Sequence, residues 1–285
     1  MTFSTFTRST TEQRTERAPR LRVASRSKPR AMSAVVIGGA VLLALAAWFV
    51  STPARAAGPS VALESPRIDQ GNIRSLQAGA RHFINNCMGC HSVEFSRYSR
   101  VAEDLGLSEE DVAENFIFTT DAEGEPTKVG ATMVNNMSRE YGEQAFGIKP
   151  PDLSLTARSR GKDWIYSFLK AYYKDPERVG TGSNNLVYPG TAMPHVLWNY
   201  QGWQTLSEGD DGHGGTVKTL ELTEPGSLSA DEYDTMIADI TNFLGYVSDP
   251  IKETRHRMGF WVILFLFGLL AIAYFLKKEY WKDVV

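Results

Sequence analysis

Apolar residues recur with a helical period in four stretches of the chain. Leu76, Ala80, Phe83 and Ile84 fall on one face of a helix. Ser108-Glu109-Glu110-Asp111 opens a second, with Val112, Phe116 and Ile117 turned inward. Trp164, Ile165, Phe168, Leu169 and Tyr172 form a third apolar face. Ser229-Ala230-Asp231-Glu232 reads as a capping box, leading into Tyr233, Ile237, Ile240 and Leu244. Met133 and Met137 also share a helical spacing. Strand alternation is weak throughout. Gly147 to Pro151, Gly180 to Pro194 and Ser207 to Gly226 are rich in Gly and Pro and read as long loops. The pattern predicts a mainly α domain whose long loops are organised by something other than strands; a large buried cofactor would do that.

Two stretches have no polar period at all. Ser33 to Val50 carries no charge; a basic segment precedes it and Pro53-Ala54-Arg55-Ala56-Ala57 follows. That order is a secretory signal pattern, with cleavage expected after Ala56. An uncleaved anchor is the alternative, since the run is long enough to come near spanning a bilayer. Gly259 to Leu276 is the second uncharged run. Lys252, Arg255 and Arg257 precede it, Lys277, Lys278 and Lys282 follow, and Trp261, Tyr274, Tyr280 and Trp281 sit near its ends. Basic flanks and terminal aromatics mark a transmembrane helix. The expected organisation is a signal segment at 1–56, a soluble domain at 57–257, an anchor at 258–277 and a cytoplasmic tail at 278–285. That domain would then lie on the periplasmic side of a bacterial inner membrane. An Arg- and Ser-rich start also suits a mitochondrial presequence, with the intermembrane space as the counterpart.

Charge changes this picture once it is divided. The 285 residues hold 30 Lys and Arg against 33 Asp and Glu. Nine of the basic residues and two of the acids fall in residues 1–56, so the rest carries a net charge of −10. An acidic body argues against nucleic acid as a partner. Glu103, Asp104, Glu109, Glu110, Asp111, Glu114, Asp121, Glu123 and Glu125 crowd one region, either a solvated surface or a field that steers a basic partner.

Both cysteines stand in Cys87-Met88-Gly89-Cys90-His91. Cys-x-x-Cys-His is the attachment sequence of c-type haem. Two thiols three positions apart reach the vinyl groups on one haem edge, and the next residue places an imidazole under the iron. A dithiol redox fold would need a preceding strand, and a zinc site would need more ligands than two cysteines supply. His91 is therefore the expected proximal ligand. For the sixth position Met193 is favoured. It stands in Pro189-Gly190-Thr191-Ala192-Met193-Pro194-His195, a loop without helical hydrogen bonds to satisfy. His195 is its rival; loop hydrogen bonding is the preferred role for His195, and an exposed loop position for His213. Met133 and Met137 are plausible core or second-best ligands, and Met236 is expected to be core. Arg158 and Arg160 both follow the Pro150-Pro151-Asp152 turn, where a guanidinium could meet a haem propionate.

The chain resembles the cytochrome c1 family. The resemblance is carried in order by SLQAGARHFINNCMGCHSVEFSRYSRVAEDLGL, FGIKPPDLSLTARSRG, DWIYSFLKAYY, NNLVYPGTAMPHVLW and HRMGFWVILF. It implies one covalent haem c on Cys87 and Cys90, with His91 and Met193 on the iron and Arg160 on a propionate. The Pro151 carbonyl would accept a hydrogen bond from His91. Trp164 stands where the family often has Tyr. The implied role is electron transfer within ubiquinol–cytochrome c oxidoreductase: one electron at a time from a Rieske iron–sulfur subunit to a cytochrome c. The anchor would sit in membrane lipid against cytochrome b. Readings of another kind are an anchored cytochrome c of a different respiratory complex and a haem sensor or peroxidase.

Overall fold

The computed structural model describes residues 61–121, 123–210 and 216–283. The expected signal segment, its cleavage site and His213 lie outside them. The order of elements is α1 (Ile73–Asn86), β1 (Val93–Arg97), α2 (Tyr98–Leu105), α3 (Glu109–Asn115), β2 (Thr132–Met133) and α4 (Arg139–Phe146). Then come α5 (Thr156–Ser159), α6 (Lys162–Lys170), β3 (Tyr172–Lys174), β4 (Ser183–Asn185) and α7 (Trp198–Gln201). The chain continues through β5 (Gly202–Asp210), β6 (Thr216–Pro225), α8 (Ala230–Ser248) and α9 (Lys252–Tyr280). The fold is mainly helical, as the periodicity predicts.

The centre is the crossing of α1 and α8. Leu76, Ala80, Phe83 and Ile84 of α1 are buried, as are Tyr233, Ile237, Ile240 and Leu244 of α8. Phe83 and Phe243 meet at 5.6 Å between ring centroids. Neither ring is exposed at all, and each such burial contributes about 2 kcal/mol. Close approach depends on Gly79: a Cβ there would lie 2.0 Å from the Asp239 carbonyl oxygen. Polar groups lock the same crossing. The Ser75 hydroxyl donates to Asp239 at 2.5 Å, and the Asn242 amide donates to Ser75 Oγ and to the Asp69 carbonyl.

The helix ends follow local chemistry. Ser108 caps α3 by accepting from the Asp111 amide at 3.0 Å, and three acids in its first turn face the positive end of the helix. Gly106 ends α2 at φ 65°, a left-handed position that glycine adopts without strain. Ser229 and Glu232 form the capping box at the start of α8. Ser229→Ala is expected to remove about 1 kcal/mol, lowering the melting temperature of the detergent-solubilised chain by roughly 2–4 °C in circular dichroism.

Three features depart from the periodicity. Residues 207–226, read as a loop from their Gly content, lie mostly in an antiparallel hairpin in which β5 pairs with β6 from Gly202↔Pro225 to Asp210↔Thr216. The Gly and Pro residues fall at its ends, while Thr, Val and Leu fill β6. Met133 and Met137 share no helix. Met133 is in β2, paired with Val93 and fully buried, and Met137 precedes α4. Tyr172 is not on α6, which stops at Lys170; it begins β3, paired with Asn185.

The anchor run lies inside α9, which extends beyond it at both ends and has no buried residue. Its apolar window has a mean hydropathy of 2.4, enough to cross a membrane by length and composition.

Candidate cofactor site

The attachment sequence begins where α1 stops. The amides of Cys87 and Met88 both bond to the Phe83 carbonyl, and those of Cys90 and His91 both bond back to the Cys87 carbonyl. One tight turn thus holds both thiols and the imidazole in a fixed relation to the helix end. Met88 points the other way, into the core, where the Tyr98 hydroxyl meets its sulfur at 3.6 Å. Both cysteines are free and half-buried. Burial pushes the Cys87 thiol up to about 12 and raises Cys90 as well, so the haem-free chain presents neutral thiols rather than reactive thiolates.

His91 is buried, and its Nδ1 lies 2.7 Å from the Pro151 carbonyl oxygen. A carbonyl can only accept, so Nδ1 carries the proton and Nε2 keeps its lone pair. That is the tautomer a metal-ligating imidazole needs, with its orientation fixed from behind. Desolvation lowers the His91 pKa, which favours the same neutral ring. The Pro151 carbonyl is itself held. Asp152 accepts from the Glu94 amide at 2.9 Å and from the Ser154 amide at 2.8 Å, and the Leu153 amide donates to Ser92. These bonds sew the Pro150-Pro151-Asp152 turn to β1.

Arg160 closes α5. Its guanidinium carbon lies 5.1 Å from the centre of the Trp164 ring and 5.8 Å from that of Tyr188. Among the described residues it pairs with no carboxylate. A guanidinium held between two aromatic rings, with its donors unspent, suits an incoming carboxylate. Arg158 has no such setting. Tyr188 directly precedes Pro189, so Arg160 stands at the foot of the segment carrying Met193. Met193 is half-buried and packs against the core. His195 is buried, stacked on Tyr172 at 4.9 Å, and its Nε2 donates to the Gly202 carbonyl at 3.2 Å. Burial lowers its pKa to about 4. It is thus committed to the loop, as expected of it.

The structure brings His91 to Pro151 and Arg160 to the Met193 segment; the thiols lie one turn from His91. A cavity of about 570 Å³ borders Met88 and Gly89 and is lined also by Phe116, Phe118, Met137 and Tyr141. The acids of residues 103–125 are exposed, except Asp104, which binds Arg100 and Tyr246. The sequence pattern assigns no site role to Asp152, Tyr172, Arg178, Asn184 or Tyr188. Only the last could have been flagged, as an aromatic beside the Pro-Gly turn.

The chain matches the Cytochrome C1 family over residues 66–220 and 227–284. The chain belongs to the cytochrome c1 family. One relative is cytochrome c1 of Allochromatium vinosum, 44% identical over 247 residues, which are 86% of this chain and 98% of that one. A second is named ammonia monooxygenase gamma subunit, from Nitrosomonas europaea, 40% identical over 242 residues, 85% of this chain and 97% of that one. The mitochondrial cytochrome c1 haem protein of Saccharomyces cerevisiae is 28% identical over 228 residues, 74% of this chain and 67% of the yeast protein. As a cytochrome c1 the chain carries one covalently attached haem c. The residues present fit that group: two free thiols on one turn, an imidazole in the ligating tautomer and a guanidinium without an acid.

Proposed function

We propose that this chain is the electron-transfer subunit of ubiquinol–cytochrome c oxidoreductase. Cys87 and Cys90 hold the haem, His91 and Met193 bind its iron, and Arg160 meets a propionate. The observation that carries the site is the Nδ1–H bond from His91 to Pro151, which leaves the lone pair of the other ring nitrogen free on a residue one turn from both thiols. The family supports the rest. Haem c supplies a one-electron iron couple.

The residues keep that couple poised. Hydrogen bonding through Nδ1 raises the basicity of His91 and prevents its ring from turning. A thioether from Met193 favours the reduced state and raises the potential. With His91 and Met193 both holding the iron, little would need to move when its charge changes, and no bond chemistry would fall to this subunit alone. Arg160 would offset propionate charge, its guanidinium held over the Trp164 and Tyr188 rings.

The partners that fit are a Rieske iron–sulfur subunit as donor and a cytochrome c as acceptor. The exposed acids of residues 103–125 would steer a basic acceptor in a salt-dependent way. We further infer cleavage after Ala56, a haem domain at 57–257 on the periplasmic face of an inner membrane, and an anchor at 258–277. That anchor would pack on cytochrome b, with Val285 inside. The test is purification of the tagged chain in mild detergent. Cytochrome b and a Rieske subunit are expected to co-elute in equal amounts, with a c-type spectrum reducible by quinol. Recovery of the haem protein without them, or with monooxygenase subunits instead, would overturn this assignment.

A further inference from the structure

The segment from Pro189 to His195 has a hydrogen-bonding deficit. Its two prolines donate nothing, and it lies in neither helix nor strand. Backbone carbonyls in a partly buried segment need donors from elsewhere. The Val196 and Trp198 amides serve the Pro194 and His195 carbonyls; for Gly190, Thr191 and Met193 the donors come from the β3–β4 hairpin. The Arg178 guanidinium, on the turn between the strands, donates from Nη2 to the Thr191 carbonyl at 2.6 Å and to the Gly190 carbonyl at 3.3 Å. The Tyr172 hydroxyl, on β3, donates to the Met193 carbonyl at 3.3 Å. Asn184, on β4, accepts from the Gly190 amide at 2.8 Å.

The hairpin is rigid enough to act as a bracket. Tyr172 is buried, paired with Asn185, and stacked face to face on His195, two residues beyond Met193. Asn185 is fully buried with its side chain satisfied by Phe168, Val187 and Tyr188. The turn itself is closed by bonds from Arg178 N to Asp175 O and from Gly182 N to Arg178 O. Arg178 has no ion-pair partner among the described residues, so its charge is directed at these carbonyls.

We infer that Arg178 and Tyr172 are positioning residues for the sixth iron ligand: they clamp the backbone on either side of Met193 and hold its thioether in place. The inference rests on Met193 as the ligand. Neither residue touches the iron; each acts through a carbonyl of the segment. Losing one such bond is expected to raise the detached population of Met193 about tenfold, and more for the charged donor.

The test uses the intact complex carrying Arg178→Lys, Arg178→Gln or Tyr172→Phe, with Met193→Leu as reference. Tyr172→Phe preserves the stack on His195, and Arg178→Lys preserves the charge. Covalent haem content should stay at the wild-type level in all four. Arg178→Gln and Tyr172→Phe should lower the midpoint potential and weaken the near-infrared sulfur-to-iron band. The ferrous haem should also bind carbon monoxide about tenfold more readily, with Arg178→Lys intermediate. Met193→Leu should abolish the band. If Met193→Leu abolishes it while both clamp variants keep wild-type potential and carbon monoxide affinity, the clamp is overturned and the ligand stands. If Met193→Leu changes neither band nor potential, Met193 is not the ligand and the clamp inference fails with it.

Discussion

Replacing Cys87 and Cys90 together by serine is expected to abolish covalent haem altogether. The two thiols share one turn, held by four backbone bonds that end on Phe83 and Cys87. Nothing in that turn depends on sulfur, so the serine variant can form it. What it cannot form is a thioether, and no other cysteine exists in the chain. A haem stain of the denatured polypeptide should therefore be blank for the double variant. A single Cys87→Ser chain should retain a reduced signal through Cys90. Covalent haem on the double variant would remove both cysteines from the site. Without the group, the apolar surfaces gathered around it face water, so the double variant should also accumulate poorly.

Gly79→Ala is expected to have the largest effect on the fold from the smallest chemical change. The added Cβ would lie 2.0 Å from the Asp239 carbonyl oxygen, 2.6 Å from its carbon and 2.9 Å from Phe243 Cβ. Two of these three atoms are backbone of α8, which cannot step aside without breaking its own ladder. The helices must separate, and the contacts of Phe83 with Phe243 and of Ser75 with Asp239 loosen together. Overpacking of this kind costs about 3 kcal/mol or more, or roughly 6–12 °C in melting temperature for a domain of this size. Because α1 ends in the attachment turn, haem content should fall as well. Gly130→Ala is the control. A Cβ there meets nothing within 4 Å, and its melting temperature should match the parent within a degree or two. Equal stability of the two variants would show that α1 and α8 do not depend on close contact.

The helical faces were legible because their apolar residues recur along one stripe that packs into the core. Residues 76 to 84 and 233 to 244 show this, and the capping box at Ser229 marks its own helix start. The β5–β6 hairpin was not legible. Its exposed strands bury neither face well enough to alternate, and Val217 and Leu222 stay largely open to solvent. Glycines toward its tip and the single Pro225 at its base imitate a loop. Tyr172 shows the same limit at one residue: its apolar ring suits a helix face as well as a strand, and only pairing with Asn185 decides between them.

Within the site the division follows covalent distance. By itself the sequence determined everything that depends on neighbours along the chain. That includes the attachment turn from Cys87 to His91, the apolar span inside α9 and the acidic surplus of the body. Their chemistry depends on spacings of a few residues. Spacing left open which distant groups answer them; the family resemblance implied Pro151 and Arg160, and the contacts themselves are made only by the tertiary structure. Sixty residues separate His91 from Pro151, and thirteen separate Arg178 from Thr191. Arg158 and Arg160 are equivalent by spacing, yet one guanidinium lies between Trp164 and Tyr188 and the other does not. A carbonyl or an aromatic face carries no signature in the sequence that announces its partner. Such partners are chosen by the packing of α1 on α8 and by the bracket of β3 and β4, which exist only once the chain has folded.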